Sequence, residues 1–420
     1  MKPNWDVVVV GAGAAGLMAA IRAAESGART LLLEKNRKVG VKILMSGGTR
    51  CNITHNCTTR EIVTAFGKNG NFLHSPLANF SVQDAIQFFH QEGVPTKVED
   101  TGKIFPVSNK ALDVANALEK RLQRAGAILA LEEPLLQLQT VENGYELTTP
   151  KRTVTTAKVI MTTGGKSYPG CGTRGDGYPI LTRFGHSIVP TQPALVPIRV
   201  LAEWIADLKG ITLADVDLKV MEQQKKLSQR RNGFLFAHFG LSGPAPLDVS
   251  KAISTHERPA SLHLECDFLP TWDRPKLDAH LQAISLSAGK KLLASVLSEL
   301  LPRRLCDHFL QRIGEDVERK AAGLSKTTRG LLVDAIKQQH LPVVGTLGYE
   351  KAEVTTGGVA LAEIDSRTMQ SKLQSGLYVA GELLDLDGPI GGFNFQAAWS
   401  TGWLAGQSAA RAVQEERNFE

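Results

Sequence analysis

Cysteine is scarce in this 420-residue chain, with five in all, at positions 51, 57, 171, 266 and 306. No Cys-x-x-Cys pair occurs, so a structural zinc site of the usual spacing is excluded and no metal is expected. An odd, scattered set in so long a chain also argues against a disulfide framework and fits a reducing compartment. No apolar run reaches about 18 residues, so a membrane-spanning helix is not expected. A large excess of one charge is missing too. The 48 Lys and Arg against 42 Asp and Glu leave +6, a mild bias toward polyanions and far short of a histone-like surplus. The first apolar stretch holds Gly11, Gly13 and Gly16 and runs to the acidic Glu34. That is the wrong shape for a secretory signal, and a cytoplasmic location is expected.

An apolar fraction of 43% is present, enough for a large core. The length exceeds what one core usually supports, so two or three domains are expected. The 39 glycines fall in a few loops, and those loops carry the chemistry.

Asp6 to Val10 is a β-branched run that reads as a buried parallel strand. Gly11-Ala12-Gly13-Ala14-Ala15-Gly16 follows at once, then a predicted helix over Leu17 to Ser26, a stop at Gly27, and a second strand over Arg29 to Leu33 ending at Glu34. Gly11 permits a tight turn, Gly13 lets a pyrophosphate approach the backbone, and Gly16 lets the helix pack on the strand. Free N–H groups at the helix start, at Ala14 and Ala15, face a diphosphate, and Glu34 is placed to accept from an adenosine ribose. A lone G-x-G-x-x-G is weak, but strand, helix, second strand and acidic end at this spacing are its confirming context. Dinucleotide binding follows.

The flanking loops separate FAD from NAD. After Glu34 come Lys35, Lys42 and the Gly-rich stretch Ser46-Gly47-Gly48-Thr49-Arg50-Cys51-Asn52, which suits the middle of an extended dinucleotide. Thr163-Gly164-Gly165 follows an apolar strand predicted over Lys158 to Met161. Near the end, a strand leads into Gly381-Glu382, then Asp387-Gly388 and Gly391-Gly392-Phe393-Asn394-Phe395-Gln396, before a closing helix predicted over Ala397 to Val413. Asp387 is expected on the ribityl chain, and Asn394 and Gln396 at the isoalloxazine edge. Cofactor loops at both ends of the chain with foreign sequence between them point to FAD. No second G-x-G-x-x-G appears, so NAD(P)H is expected as a transient electron donor.

With these blocks assembled, the sequence resembles the BaiN/RdsA family of FAD-dependent oxidoreductases, also labelled aminoacetone oxidase-like. Further matching blocks are Lys166-Ser167-Tyr168-Pro169, Phe236 to Pro244 and Thr356-Gly357-Gly358-Val359, so the resemblance spans the chain. One departure stands out: the family's loop usually reads Gly-Gly-Gly-Arg-Cys-Asn, and Thr49 takes the place of its third glycine. Thr49 must therefore bend the backbone differently or add a hydrogen bond. The resemblance implies an α/β fold with a Rossmann-like FAD domain in two segments (1–195 and 346–420), an inserted β-rich, barrel-like domain (196–270) and a small helical domain (271–345). Alternation over Asp215 to Met221 and Ser261 to Cys266, and helical patterns over Lys276 to Ile284, Lys290 to Leu301 and Arg304 to Ile313, agree with it.

The family's activities imply reduction of a carbon–carbon double bond conjugated to a carbonyl. One branch of the family is implied to reduce a uridine of 23S ribosomal RNA to dihydrouridine. The basic pairs Lys225-Lys226, Arg230-Arg231, Lys290-Lys291 and Arg303-Arg304, with Lys326 and Arg329, favour a polyanion, so that branch is the first expectation. A base within folded RNA must be unstacked to reach a flavin. A small-molecule enoate reductase and a non-catalytic FAD-binding redox protein stay open as alternatives. Candidate proton donors are His238, Cys51, Cys171 and Tyr168. His238 suits neutral pH but equally fits a buried structural role, and Cys51 equally fits packing.

Overall fold

A computed structural model describes residues 3–419. The chain forms two compact units, one made of residues up to Pro193 together with those from Glu353, the other of Ala194–Ala352.

The first unit is built on a seven-stranded sheet. Strand β1 (Trp5–Val10) lies at its centre, between β2 (Thr30–Leu33) and the strand Thr153–Met161, parallel to both. Four successive valines form β1 because it is a central strand with parallel neighbours on both sides and both of its faces are buried, so none of these four positions needs to be polar. Val7, Val8 and Val9 are fully buried. The short strand Leu377–Val379, 216 residues further along the chain, adds to the same edge in parallel. The registers matter for function: Val10 pairs with Leu33 and Met161, and Met161 pairs with Val379. Four carboxyl ends therefore finish level, and Gly11, Glu34, Thr162 and Ala380 stand side by side. Open α/β sheets bind ligands at this rim.

Helix α1 (Ala14–Glu25) follows β1, and the 27-residue helix Phe393–Phe419 packs along it. The closing helix begins four residues earlier than the sequence pattern suggests and extends six further.

In the second unit, six strands close a barrel in the order Ile198–Val200, Gly240–Ser242, Lys225–Ala237, Thr212–Glu222, Leu262–Asp267, Gln339–Thr346. Helices Arg274–Ser287, Leu293–Leu297, Arg303–Arg312 and Lys326–Lys337 precede the last strand. The first begins where Asp273 caps the Lys276 N–H and Pro275 occupies the first turn. The second is much shorter than the pattern over Lys290 to Leu301 suggests. Barrel and helices share one hydrophobic core, in which Phe268 touches both Phe236 of the barrel and Phe309 of a helix. Where sequence pattern divides the insert into two domains, the structure packs it as one unit. Among the described residues no helix is long and apolar enough to cross a membrane, and no cluster of His, Cys, Asp and Glu is arranged to hold a metal.

Candidate FAD site and its flanking loops

Each fingerprint glycine has a measurable reason. Gly11 has φ 101°, a conformation that L side chains rarely adopt. A Cβ on Gly16 would lie 1.8 Å from the Gly11 carbonyl oxygen, so helix and turn meet only without it. At Gly13 a Cβ would meet nothing within 4 Å. Gly13 is also the N-cap of α1 and supplies no side-chain cap, so the first N–H groups, at Ala14 and Ala15, have no side-chain partner. A helix start with unsatisfied donors and open space beside it is a diphosphate cradle. Glu34 is nearly buried. One carboxylate oxygen accepts from Ala12 N at 2.7 Å and the other from Asn36 N at 2.8 Å. These bonds fix the carboxylate beside the cradle, with lone pairs left for a ribose. Lys35 is ion-paired to Asp176 at the same rim.

The Lys42 to Asn52 segment is not the open loop that its glycines suggest. Val41–Thr49 starts as a helical turn and breaks at Ser46 (ψ 152°), after which Gly47, Gly48 and Thr49 all turn left-handed. Thr49 keeps the backbone of a glycine, at φ 70°, and its hydroxyl donates to the Gly48 carbonyl at 2.6 Å. Cys51 is left-handed as well, at φ 59°. Arg50 lies 3.9 Å over the Phe105 ring and donates to Glu99 at 2.7 Å, so its guanidinium is committed to the neighbouring hairpin. The Ser46 hydroxyl donates to Ile43 O. The buried Oδ1 of Asn52 and the buried Oγ1 of Thr163 have no protein partner.

Lys42 and Glu382, 340 positions apart, form an ion pair. Lys42 also donates to the Ser167 hydroxyl at 2.6 Å, Ser167 donates to Glu382, and Glu382 accepts from Thr355 N at 2.9 Å. A Cβ on Gly165 would fall 2.4 Å from Thr355 Oγ1, so this network presses against the Gly164-Gly165 turn. Gly381, at φ 72°, would bring a Cβ within 2.7 Å of the Ala15 side chain, tying the C-terminal turn to α1.

The last loop needs correction. Gln396 is fully buried and saturated: it accepts from Thr54 Oγ1 at 2.6 Å and donates to Phe80 O and Ser400 Oγ. It anchors the closing helix, with both amide N–H groups spent inside the fold. Asn394 accepts from Gly388 N and donates to Gly388 O, so it shapes the Gly388–Gly392 loop from within. Asp387 accepts from Thr356 Oγ1 at 2.8 Å. Gly391 and Gly392 are both left-handed, and a Cβ on Gly392 would strike Thr54 backbone at 2.4 Å. Phe393 stacks on His55 at 4.6 Å, and His55 Nδ1 donates to Gly391 O at 2.9 Å.

The acid candidates separate sharply. Burial encloses the Cys51 thiol completely and pushes its pKa to about 12, so it holds its proton too tightly to serve as an acid near neutral pH. Cys171 is buried against Met45, with its pKa also raised by burial, only partly opposed by the nearby Lys42. Both cysteines read as packing residues. Tyr168 is half-buried and held left-handed at φ 52°, an uncommon state for an aromatic residue. His238 belongs to the barrel unit, in the two-residue turn between Lys225–Ala237 and Gly240–Ser242, and is exposed, not a buried structural histidine. Asn36, His55 and Thr355 join these loops and networks although motif reading leaves them out, and Ser167 and Thr356 lie inside quoted blocks where nothing local shows what they bind.

The residues present fit FAD. An uncapped helix start with room beside it, a carboxylate where the second strand ends, and orphaned polar atoms in both flanking loops match a long dinucleotide. Fold and cradle together define an FAD-dependent oxidoreductase of Rossmann type. Residues 5–408 match the HI0933-like protein Rossmann domain, and the chain belongs to that family. It is 32% identical to a ribosomal RNA dihydrouridine synthase of Escherichia coli strain K12, over 97% of this chain and 99% of that one. It is 30% identical to a 3-dehydro-bile acid delta(4,6)-reductase of Clostridium scindens, over 96% and 98%. The fold is shared with 3-ketosteroid delta1-dehydrogenase of Sterolibacterium denitrificans, at TM-score 0.52 and 14% identity over 97% of this chain and 99% of that structure.

Proposed function

We propose that this chain reduces a carbon–carbon double bond conjugated to a carbonyl, and that its substrate is a uridine of 23S ribosomal RNA, which becomes dihydrouridine. The observation that carries the reading is end-to-end similarity to a ribosomal RNA dihydrouridine synthase, with neither chain leaving a domain unmatched. The uracil C5=C6 bond is conjugated to the C4 carbonyl, so it takes a hydride at C6 and a proton at C5. FAD, when bound and reduced, supplies the hydride, and NAD(P)H is the proposed source of its electrons. The chain's own residues hold and orient. The α1 N-terminus takes the diphosphate, Glu34 the ribose, and the Lys42–Ser167–Glu382 network keeps the 164–165 and 381–382 turns in place. Tyr168 and His238 are the proton donors proposed, because Cys51 and Cys171 are buried with raised pKa values. A cytoplasmic location is proposed together with that substrate.

A second reading is reduction of a small unsaturated ketone, favoured by nearly equal full-length similarity to the bile acid reductase. Mass spectrometry of ribosomal RNA from cells lacking the gene separates the two. Loss of one dihydrouridine, restored by the wild type and not by Gly13→Asp, supports the RNA reading. Persistence of every dihydrouridine overturns it.

A further inference from the structure

We propose that the outer edge of the barrel strand Lys225–Ala237, over Lys225 to Arg231, is a docking surface for an RNA phosphodiester backbone. The inference rests on the RNA reading above and adds where the RNA is held.

The strand pairs with Thr212–Glu222 along Lys225 to Leu235, but with its other neighbour only through Leu235 to Ala237. Among the described residues no strand pairs with the opposite edge of Lys225–Phe234. That stretch reads Lys-Lys-Leu-Ser-Gln-Arg-Arg-Asn, with no acidic residue. Lys225, Lys226, Arg230 and Arg231 are exposed. The nearby acids do not cancel this edge in the same way. Asp248 is a buried carboxylate beneath Arg230, at 3.3 Å, and leaves that guanidinium half exposed. Arg231 is held by Asp215 at 2.7 Å, so its charge is largely answered. Lys225 and Lys226 sit at the hairpin tip, where the register slips between Val220 and Met221, a bulge that twists the edge. Elsewhere in the unit Arg303 pairs with Asp307, Arg329 with Asp278, and Arg304 donates to backbone carbonyls, while Lys290 and Lys291 are exposed but stand in the turn before helix Leu293–Leu297, on no strand edge. The charge left available is therefore that of Lys225 and Lys226 at the tip and the half-exposed Arg230 five residues on, a spacing suited to phosphates, whose capture is electrostatic and independent of sequence.

The same features suit a different task, since lysines and bulges on an open edge also block strand-to-strand aggregation. The test separates them. FAD-loaded wild type, Lys225→Ala/Lys226→Ala and a control Lys290→Ala/Lys291→Ala are titrated with protein-free large-subunit ribosomal RNA across KCl concentrations. Flavin absorbance confirms that each is folded and loaded. The edge variant is expected to bind about tenfold more weakly at 0.1 M KCl and to lose about 1.5 from the slope of log K against log salt, with reduction of 2-cyclohexenone unchanged. The control is expected to bind like wild type. Equal slopes for edge variant and wild type overturn the surface and leave the RNA reading standing, as does self-association of the variant with RNA binding intact. Absence of wild-type binding to the RNA overturns the RNA reading itself.

Discussion

Gly402 of the closing helix lies against Ala15 of α1 so closely that a Cβ on the glycine would fall 2.2 Å from the Ala15 carbonyl oxygen. One turn on, Gly406 stands in the same relation to Ala19, also at 2.2 Å. The last helix thus clamps the helix whose N-terminus forms the diphosphate cradle, backbone against backbone. Neither contact can relax by a rotamer change.

Gly402→Val should therefore force the helices apart and cost about 1–3 kcal/mol or more, as other overpacked core sites do. Thermal unfolding should show a clear drop in Tm, and purified protein should carry less FAD. A Tm equal to wild type would disprove the clamp.

Gly13 and Gly16 are adjacent in the motif but opposite in mechanics. Gly13 has open space and an ordinary φ of −79°, so Gly13→Asp should fold with wild-type Tm in the apo form yet lose FAD through repulsion of the diphosphate. Gly16→Ala should instead fail to fold, since its Cβ meets backbone at 1.8 Å. Flavin absorbance and circular dichroism of the two proteins distinguish these outcomes.

Thr49 holds a left-handed backbone at φ 70°. For an L residue this conformation costs about 1–2 kcal/mol, part of which Thr49→Gly gives back as unfolded-state entropy. The substitution should stabilise the protein by about 0.5–1 kcal/mol, read as a higher urea midpoint with an unchanged m-value. A lower midpoint would show that the hydroxyl bond to Gly48 matters more than the strain.

Asp6 is nearly buried at the start of β1, between Arg29 and Arg417 of the closing helix. Burial alone would raise its pKa, but the hydrogen bonds and charge of Arg29, helped by Arg417, outweigh it and hold the carboxyl below its ordinary value. A depressed folded-state pKa contributes stability that is complete above the unfolded value, near about 4, and is lost as pH falls through the folded one. Asp6→Asn should be less stable at pH 7, and its stability should fall less steeply than wild type below about pH 4. Parallel stability curves for the two proteins would contradict the assignment.

Much of the site was legible because the fingerprint is local physics. Gly16 answers to Gly11 and Glu34 to Ala12 within one crossover, so spacing alone predicts their places. Gln396 and Asn394 look like ligand groups because they are polar residues in a Gly-rich stretch, and only tertiary structure shows that their amides are engaged by Thr54 and Phe80 for one and by Gly388 for the other. The last barrel strand is hidden for a related reason: Pro342 and Gly345 have the character of turn residues, yet they sit in a strand whose residues from Gln339 to Val344 alternate between buried and exposed and which pairs with both of its neighbours. Helix Lys326–Lys337 was hidden by Gly330 and two threonines in its first half.

The amino-acid sequence by itself determined the central strand and the diphosphate turn, because those depend on contacts a few residues apart, and the cofactor class, because glycine-rich loops at both ends of the chain are visible as motifs. Tertiary structure alone decided that Lys42 meets Glu382, that Cys51 is sealed from solvent, and that barrel and helices share one core. Those facts depend on which distant strands end level and which helices close over them, and no local pattern carries that information.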